Sequence, residues 1–228
     1  DELKHKGTVE PQLYEHVSVL FTDFAGFTAA SEHMAPDDLV RELDGCFTQF
    51  DEAAVHNGME KLKTIGDAYM CAGGIPVINS THPVDAGLTA LEFQAFMNVS
   101  FVLFALNGDS FFRLRVGIHS GPVTAGVIGK NKFAYDIWGD TVNTASRMES
   151  SGEPGKVNIS GATYELVKDF FVCSYRGKLP VKGKGEMDMY FLERIHPELS
   201  ADEEGRVPNE RFQAMRLALQ GERQALAG

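Results

Sequence analysis

The sequence predicts an α+β fold in which one β-sheet carries helices mainly on one of its faces. Short alternating segments rich in β-branched residues are interleaved with longer segments of helical periodicity. Two of the alternating segments are separated only by a turn signal, which predicts a hairpin. With 228 residues, of which 43% are hydrophobic and 23% charged, the chain is expected to form one large domain with extensions rather than two domains.

The first half of the chain predicts a strand, a hairpin and two long helices. The predicted elements are a strand over residues 17–24, a helix over 36–55, a hairpin of 59–65 and 68–72, and a helix over 84–106. Pro36 marks the start of the first helix because proline suits an initial helical turn. Gly66 and Asp67 are typical turn residues between the two strands of the hairpin.

The second half predicts shorter elements and a distinct C-terminal tail. The predicted elements are strands over residues 114–119 and 123–128, a loop over 130–136, a helix over 141–148, a strand over 157–160, a helix over 162–169, and a strand pair over 172–175 and 188–193. Residues 209–226 have a polar helical pattern with few apolar anchors, which is typical of a linker or a packing helix. The chain is therefore divided into a connector (1–16), a core domain (17–195) and a helical tail (196–228).

Composition excludes several kinds of partner and site. A net charge of −11 argues against a nucleic acid or an anionic membrane surface as the partner, since both attract basic patches. The three cysteines are widely spaced, so reduced thiols are expected rather than a disulfide framework or a zinc site. No apolar run reaches the roughly 18 residues of a membrane span and no signal-peptide pattern is present, which predicts a cytoplasmic location. Because Asp1 stands where an initiator Met would be, the chain is expected to be part of a longer protein.

Asp23 is the first candidate functional residue. It ends a predicted buried strand immediately before Gly26, Phe27 and Thr28, where a glycine turn enters a helix. Backbone N–H groups at such a helix start bind phosphate, and a carboxylate beside a bound phosphate is a suitable Mg²⁺ ligand. Asp67 supplies a second carboxylate if the hairpin tip lies beside the end of the first strand. The simpler alternatives are a helix cap for Asp23 and an ordinary turn residue for Asp67.

Three further residues are suited to a phosphorylated ligand. Asn143 and Arg147 are four positions apart on a predicted helix, so their side chains share one face and can hold a ribose oxygen and a phosphoryl group. Lys182 lies in a basic, glycine-rich loop of an otherwise acidic chain. The simpler interpretations are that Asn143 and Arg147 are ordinary surface residues and that Lys182 lies in a solvated turn. A P-loop is excluded, because Thr124 stands where glycine is required and no Ser or Thr follows Lys130.

Four extended motifs follow one another along the chain. They are Phe21-Thr22-Asp23-Phe24-Ala25-Gly26-Phe27-Thr28, Lys61-Leu62-Lys63-Thr64-Ile65-Gly66-Asp67-Ala68-Tyr69-Met70, Gly117-Ile118-His119-Ser120-Gly121-Pro122 and Tyr135-Asp136-Ile137-Trp138-Gly139-Asp140-Thr141-Val142-Asn143-Thr144-Ala145-Ser146-Arg147-Met148. In this order they resemble the class III nucleotidyl cyclase catalytic domain, and the resemblance runs from about residue 17 to residue 193. It implies a ferredoxin-like, palm-like sheet and identifies residues 17–195 as the catalytic domain.

The resemblance implies a metal site at the end of the first strand. Asp23 and Asp67 match the family's two metal-binding aspartates, which hold two Mg²⁺ or Mn²⁺ ions in each active site. The carbonyl oxygen of Phe24 is expected to be an additional ligand. Residues 26–28 are expected to contact the substrate at the adjacent turn. Two metal ions would activate an attacking oxygen and neutralise a polyphosphate leaving group.

The other candidate residues match positions that contact the nucleotide. Asn143 and Arg147 match the catalytic pair that orients the ribose and stabilises the transition state. Lys182 matches the lysine that contacts the polyphosphate. Lys63 and Asp136 match the two positions that read the purine base.

Lys63 and Asp136 predict that ATP is the substrate. In the family, Lys with Asp or Thr at these positions accompanies adenine, and Glu with Cys or Ser accompanies guanine. Adenine offers an acceptor at N1 and a donor at N6, which complement a lysine donor and an aspartate acceptor. A buried mismatch leaves polar groups unpaired, at a cost on the order of several kcal/mol. The predicted reaction is in-line attack of the 3′-hydroxyl on the α-phosphorus, which forms cyclic AMP and pyrophosphate.

The resemblance also implies that one copy of the chain is incomplete as an enzyme. In the family, the metal-binding aspartates come from one catalytic domain, and the purine readers, Asn, Arg and Lys come from its partner. This chain carries both sets, so a head-to-tail homodimer with two equivalent sites and an inactive monomer are expected. A sensor domain is expected upstream of the connector in the full-length protein.

Three alternatives remain open at this point. The nearest is a guanylate cyclase, which Lys63 and Asp136 disfavour. The second is a catalytically inactive, cyclase-like regulatory domain that only binds a nucleotide or a partner. The third is a diguanylate cyclase or a polymerase palm, whose Gly-Gly-acidic-Glu-Phe hairpin is absent from the sequence.

Overall fold

The structure is a computed structural model that describes residues 10–32, 34–106, 111–129 and 133–226. Its elements are β1 (Gln12–Ala25), α1 (Phe27–Ser31), α2 (Pro36–His56), β2 (Glu60–Ile65), β3 (Ala68–Gly73), α3 (His82–Leu106), β4 (Arg113–Ile128), β5 (Ala134–Trp138), α4 (Asp140–Ser150), β6 (Val157–Ser160), α5 (Gly161–Val167), β7 (Phe171–Val181), β8 (Gly185–Ile195) and α6 (Glu210–Leu226). Residues 1–9 of the predicted connector and residues 130–132 of the predicted loop lie outside the described residues.

Eight strands form one sheet in the order β2-β3-β1-β4-β6-β8-β7, and β5 pairs with β4 beside this path. The strands β4-β1-β3-β2 are antiparallel neighbours, with α2 between β1 and β2 in sequence and α3 between β3 and β4. This order of strands and helices is the ferredoxin-like arrangement, which confirms the predicted α+β sheet. β6 extends the sheet parallel to β4, and β8 and β7 complete it as an antiparallel pair.

The two faces of β1 enter different cores, because successive strand residues point to opposite sides of a sheet. Leu20 and Phe24 belong to the larger core, to which α2, α3, α5 and α6 contribute. Val17 and Val19 belong to a smaller core, which α4 closes with Ala145. Most helices therefore cover one face of the sheet, as predicted, and α4 covers the other.

The prediction of two strands around residues 120–122 is wrong. Arg113–Ile128 forms one strand, which pairs with β1 on both sides of Gly121 and Pro122. β1 is long enough to align with residues 113–125 of β4, so Gly121 and Pro122 cause no chain reversal. The irregularity falls instead on β1, where the register shifts between Tyr14 and Val17.

The prediction of a loop over residues 130–136 is wrong from Ala134 onward. Ala134–Trp138 forms β5, which pairs antiparallel with the end of β4 and sets Asp136 opposite Gly126. Four of these five residues are hydrophobic, and the segment reads as a strand only once a partner edge is available. Asp136 is therefore held on a strand and not on a loop.

The sequence predicts no segment long and apolar enough to span a membrane, but the helix α3 meets both criteria. Its 25 residues have a mean hydropathy of 1.5 in their most apolar window, so its length and composition alone would allow it to cross a membrane. Every residue from His82 to Leu91 is buried in the protein interior. The first half of α3 is thus a core helix of this domain.

The helical tail packs on the domain. Phe212 of α6 is fully buried, and its ring lies edge-on to Phe170 and Phe171 at centroid distances of 5.1 and 5.9 Å. Nε of Arg216 donates a hydrogen bond to Asp85 at 2.7 Å. Of the two interpretations of the tail, the structure supports a packing helix over residues 210–226.

Candidate active site

The end of β1 and the tip of the β2–β3 hairpin lie side by side. β3 runs antiparallel to β1 with Thr22 opposite Tyr69, which brings the turn before Ala68 next to Asp23. Gly66 permits this tight turn through its positive φ of 61°. The Asp67 carboxylate lies close enough to Asp23 and to the backbone N–H of Phe24 for both groups to act on its pKa. The structure thus brings together the two carboxylates that the sequence only suggested as a pair.

The chemistry of this pair fits a divalent cation. Partial burial, and after it the charge of Asp23, raise the pKa of Asp67, because two adjacent carboxylates repel each other. A cation between them would remove that repulsion. Among the described residues no group of three or more His, Cys, Asp and Glu side chains forms a complete metal cage. Two carboxylates with open positions for waters and phosphates are what Mg²⁺ prefers, and the Phe24 carbonyl would be the remaining protein ligand.

The turn after β1 is anchored by aromatic packing. Gly26 has a φ of 76°, and a side chain there would meet nothing within 4 Å, so the turn is open to solvent. The ring of Phe27 packs against Phe112 at a centroid distance of 5.4 Å, which ties the turn to the larger core. Thr28 is exposed. The turn therefore offers exposed backbone beside the two carboxylates, as a phosphate contact requires.

Lys63 and Asp136 are brought together although they lie 73 positions apart in the sequence. The Lys63 ammonium on β2 forms an ion pair with Oδ2 of Asp136 on β5. The other carboxylate oxygen of Asp136 accepts a hydrogen bond of 2.9 Å from the backbone N–H of Ile137. The Asp136 side chain is only 12% exposed and that of Lys63 is 40% exposed. A largely buried, oriented acceptor next to a partly exposed donor is an arrangement that can read one edge of a base.

Asn143 and Arg147 lie on α4, on the opposite face of the sheet from the larger core. Asn143 is exposed and Arg147 half-buried, and within the described residues neither side chain makes a hydrogen bond or an ion pair. α4 lies very close to β4: a Cβ on Gly117 would stand 1.9 Å from the backbone N of Glu149. Only glycine allows this contact, which fixes the helix and its two free side chains.

Lys182 lies at the exposed turn between β7 and β8 and has no ion-pair partner in the described part of the chain. Its neighbour Lys184 pairs with Asp140, the first residue of α4. This ion pair ties the turn to the helix that carries Asn143 and Arg147. In residues 10–32, 34–106, 111–129 and 133–226, no hydrogen bond or ion pair links these three side chains to the carboxylate pair.

Arg115 and Glu149 are site residues that the sequence reasoning missed. Arg115 lies on β4 directly opposite Asp23, and its Nη2 donates a hydrogen bond to the Asp23 carboxylate. Its Nε donates to Oε1 of Glu149 at 3.0 Å. Burial, opposed by the charge of Arg115, raises the pKa of Glu149 to about 7. An arginine between two buried apolar residues of β4, Leu114 and Val116, was the available signal.

Two curated relatives have different nucleotide specificities in their names. Guanylyl cyclase C from Homo sapiens is 42% identical over 194 residues, which are 83% of this chain and 18% of the relative. Adenylate cyclase from Mycobacterium tuberculosis is 44% identical over 179 residues, which are 78% of this chain and 40% of the relative. The chain thus spans less than half the length of either relative. The two matches do not distinguish ATP from GTP.

Two solved structures share the fold closely. The catalytic core of a rhodopsin-guanylyl cyclase with converted specificity, in complex with ATPαS, has a TM-score of 0.75 and 38% identity, covering 81% of this chain and 98% of that one. The non-canonical dimeric guanylyl cyclase domain of the RhoGC fusion protein from Blastocladiella emersonii has a TM-score of 0.73 and 34% identity, covering 81% and 99%. The domains similar to this chain thus include one bound to a nucleotide and one solved as a dimer.

The family described as the adenylate and guanylate cyclase catalytic domain matches residues 9–194, which is most of the chain. The matched region contains every candidate residue of the site. This chain belongs to the adenylate and guanylate cyclase catalytic domain family.

Proposed function

We propose that this chain is an adenylate cyclase catalytic domain, which converts ATP into 3′,5′-cyclic AMP and pyrophosphate at sites shared by two copies of the chain. The observation that carries the choice of ATP is the ion pair between Lys63 and Asp136. Adenine can accept a hydrogen bond at N1 from Lys63 and donate one from N6 to Asp136. Guanine would present its O6 acceptor and N1–H donor at these positions, and its N1–H would face the lysine donor.

The reaction needs an oriented ribose and a stabilised leaving group. The 3′-hydroxyl loses its proton to water as its oxygen bonds to the α-phosphorus, the bond from that phosphorus to the bridging oxygen breaks, and pyrophosphate leaves with that oxygen. Asn143 would orient the ribose and Arg147 would stabilise the charge that develops on the phosphoryl oxygens. Lys182 would bind the departing polyphosphate. Mg²⁺ or Mn²⁺ held by Asp23, Asp67 and the Phe24 carbonyl, two ions per site, would supply Lewis-acid activation of the hydroxyl and charge neutralisation.

The separation of the two residue sets supports a head-to-tail homodimer. Asn143, Arg147 and Lys182 make no contact with the carboxylate pair of their own chain within the described residues, although one reaction requires both sets. The β4–β5 hairpin also exposes large apolar side chains next to Asp136. They are Ile128, Phe133 and Trp138, with exposed fractions of 54%, 53% and 38%. Burial of these side chains against a second copy would complete the base pocket and remove apolar surface from water.

The test is a direct comparison of ATP and GTP with the purified chain, in Mg²⁺ and in Mn²⁺. We expect kcat/KM for cyclic AMP formation to exceed that for cyclic GMP formation by at least about tenfold, since a mismatched base leaves buried polar groups unpaired. The Arg147→Ala variant is the control for contaminating cyclases and is expected to be inactive. Faster cyclic GMP formation would show a guanylate cyclase.

The inactive-domain alternative has its own outcome in the same experiment. A chain that is dimeric and binds ATP but forms no cyclic nucleotide with either metal would be a regulatory, cyclase-like domain. The free side chains of Asn143, Arg147 and Lys182 argue for an active enzyme, because they have no structural partner that would otherwise explain them.

A further inference from the structure

Three charged side chains form a continuous row from the carboxylate pair to the end of α4. Arg115 donates to Asp23 through Nη2 and to Glu149 through Nε. The side chains of Arg115, Asp23 and Glu149 are 30%, 25% and 12% exposed, so the row is largely shielded from water. The guanidinium thus bridges one carboxylate of the proposed metal site and one carboxylate outside it.

The guanidinium occupies the place of a cation at Asp23. Asp67 has no such partner: within the described residues its neighbours are Asp23, Glu149 and backbone N–H groups, and none of them is a cationic side chain. A divalent ion that binds both aspartates would place a second positive charge against the Asp23 carboxylate, of which Arg115 now holds Oδ2. The two cations repel each other across this carboxylate, so ion binding and the Arg115–Asp23 contact compete.

Glu149 is placed to hold the guanidinium once Asp23 is released. The main chain of Glu149 is fixed by its close contact with Gly117. The Glu149 carboxylate accepts from Nε of Arg115, whereas Asp23 accepts from Nη2, so the two carboxylates bind different nitrogens of the guanidinium. A guanidinium that lost Asp23 without a second partner would be a shielded, unpaired charge, which is costly. The bidentate shape of arginine allows one bond to break while the other stays.

We propose that Arg115 is a built-in counter-ion of the metal-free site, that the divalent cation displaces it from Asp23, and that Glu149 is the positioning residue that retains it. This inference rests on the metal site of the proposed function. It makes metal affinity depend on two residues that do not coordinate the metal.

The first test measures binding of Mn²⁺ alone, from the electron paramagnetic resonance signal of the free ion. Arg115→Met removes the competitor and is expected to lower the Kd for Mn²⁺ by about fivefold, the size of effect typical of a partly exposed ion pair. Arg113→Met is the matched control, since Arg113 lies two residues earlier on the same face of β4 and stacks over Phe101 at 5.6 Å. It is expected to change the Kd by less than about twofold. An unchanged Kd in Arg115→Met would overturn the proposal.

The second test is a double-mutant cycle on Glu149. Glu149→Gln is expected to raise the Kd for Mn²⁺ by about fivefold in the wild-type background, because the released guanidinium then has no partner. In the Arg115→Met background the same substitution is expected to have almost no effect. An equal rise of the Kd for Mn²⁺ in both backgrounds would show that Glu149 acts on the metal only through its charge, and the positioning role would be rejected.

Folding and the underlying metal site are checked separately. Thermal unfolding identifies variants that fail to fold. Arg115→Gln keeps hydrogen-bond donors but no charge, and like Arg115→Met it is expected to lower the Kd for Mn²⁺. Asp67→Asn is expected to abolish the tight Mn²⁺ binding. Wild-type binding that does not respond to Asp67→Asn would refute the metal site itself, whereas binding that responds to Asp67 but not to Arg115 would refute only the competition.

Discussion

Lys63 and Asp67 are four positions apart in one hairpin, yet they contact different carboxylates. Lys63 pairs with Asp136 on β5, while Asp67 lies against Asp23 at the end of β1. The two charges do not form an ion pair with each other, although they are opposite in sign and near in sequence. The hairpin therefore contributes to two separate places on the molecule, one suited to a base and one to a metal ion.

Exchange of Lys63 and Asp136, the proposed base-reading pair, is expected to change the nucleotide preference. Lys63→Glu combined with Asp136→Cys replaces a donor and an acceptor by an acceptor and a weak donor, which suits guanine better than adenine. We expect the ATP:GTP ratio of kcat/KM to fall by at least about tenfold, without full conversion, because surrounding contacts also matter. Lys61→Glu is the control, since Lys61 is on the same strand but pairs with Asp51 at 2.7 Å. A ratio that stays at the wild-type value would remove the base-reading role.

His119 is expected to remain neutral well below neutral pH. Burial and then the charge of Lys184 lower its pKa to about 4, against a smaller opposing effect of Asp140, and its Nδ1 lies 2.7 Å from Oγ of Ser160. Since the unfolded chain binds this proton near pH 6.5 and the folded chain only near pH 4, stability is lost as pH falls between these values. From pH 7.5 to 5.5 we expect a loss of about 1 kcal/mol in the free energy of unfolding. Denaturation of His119→Asn, whose amide can replace Nδ1, should lack this part of the pH dependence, and an unchanged pH dependence would contradict the assignment.

At the scale of elements, the tail helix α6 is expected to stabilise the domain although it lies outside the family match. Phe212→Ala would leave a cavity between α6 and β7 and is expected to lower the free energy of unfolding by about 3–5 kcal/mol. Leu217→Ala on the same helix is the control, because Leu217 is 61% exposed, and it is expected to cost less than about 0.5 kcal/mol. Chemical denaturation measures both. Equal, small effects would show that α6 is only loosely attached.

The elements that local patterns specify were predictable, and those that depend on a partner edge were not. Periodicity and turn residues gave α2, the β2–β3 hairpin and β6 nearly to the residue, because their signals lie within each segment. β5 was missed, since a short mixed segment becomes a strand only when the end of β4 is beside it. In the site, motif spacing indicated Asp23 and Asp67, whereas Arg115 and Glu149 emerge only from the cross-strand register and the packing of α4.

At the scale of the whole molecule, the chain carries two groups of candidate residues that no hydrogen bond or ion pair links within the described residues. One consists of the carboxylate pair at the end of β1 with Arg115 behind it. The other consists of the base-reading pair, the free side chains of α4 and the β7–β8 turn, which Lys184 ties to α4. A twofold axis that brings the first half of one copy to the second half of the other creates two equivalent complete sites.

This arrangement predicts complementation between inactive variants. Asp67→Ala removes the metal half and Arg147→Ala the nucleotide half, so each homodimer is expected to be inactive. In a mixed dimer, the metal half of the Arg147→Ala chain meets the nucleotide half of the Asp67→Ala chain, and one of the two sites is intact. An equal mixture with free subunit exchange is therefore expected to recover about a quarter of the wild-type cyclic AMP production.

The matched control for complementation is a mixture of Asp67→Ala with Asp23→Ala. Both substitutions damage the metal half, so every site in the mixed dimer lacks one aspartate and no activity is expected. Differently tagged chains establish by co-purification that mixed dimers form. If mixed dimers of Asp67→Ala and Arg147→Ala form and remain inactive, the two halves must serve one site within a single chain, and the shared-site arrangement would be wrong.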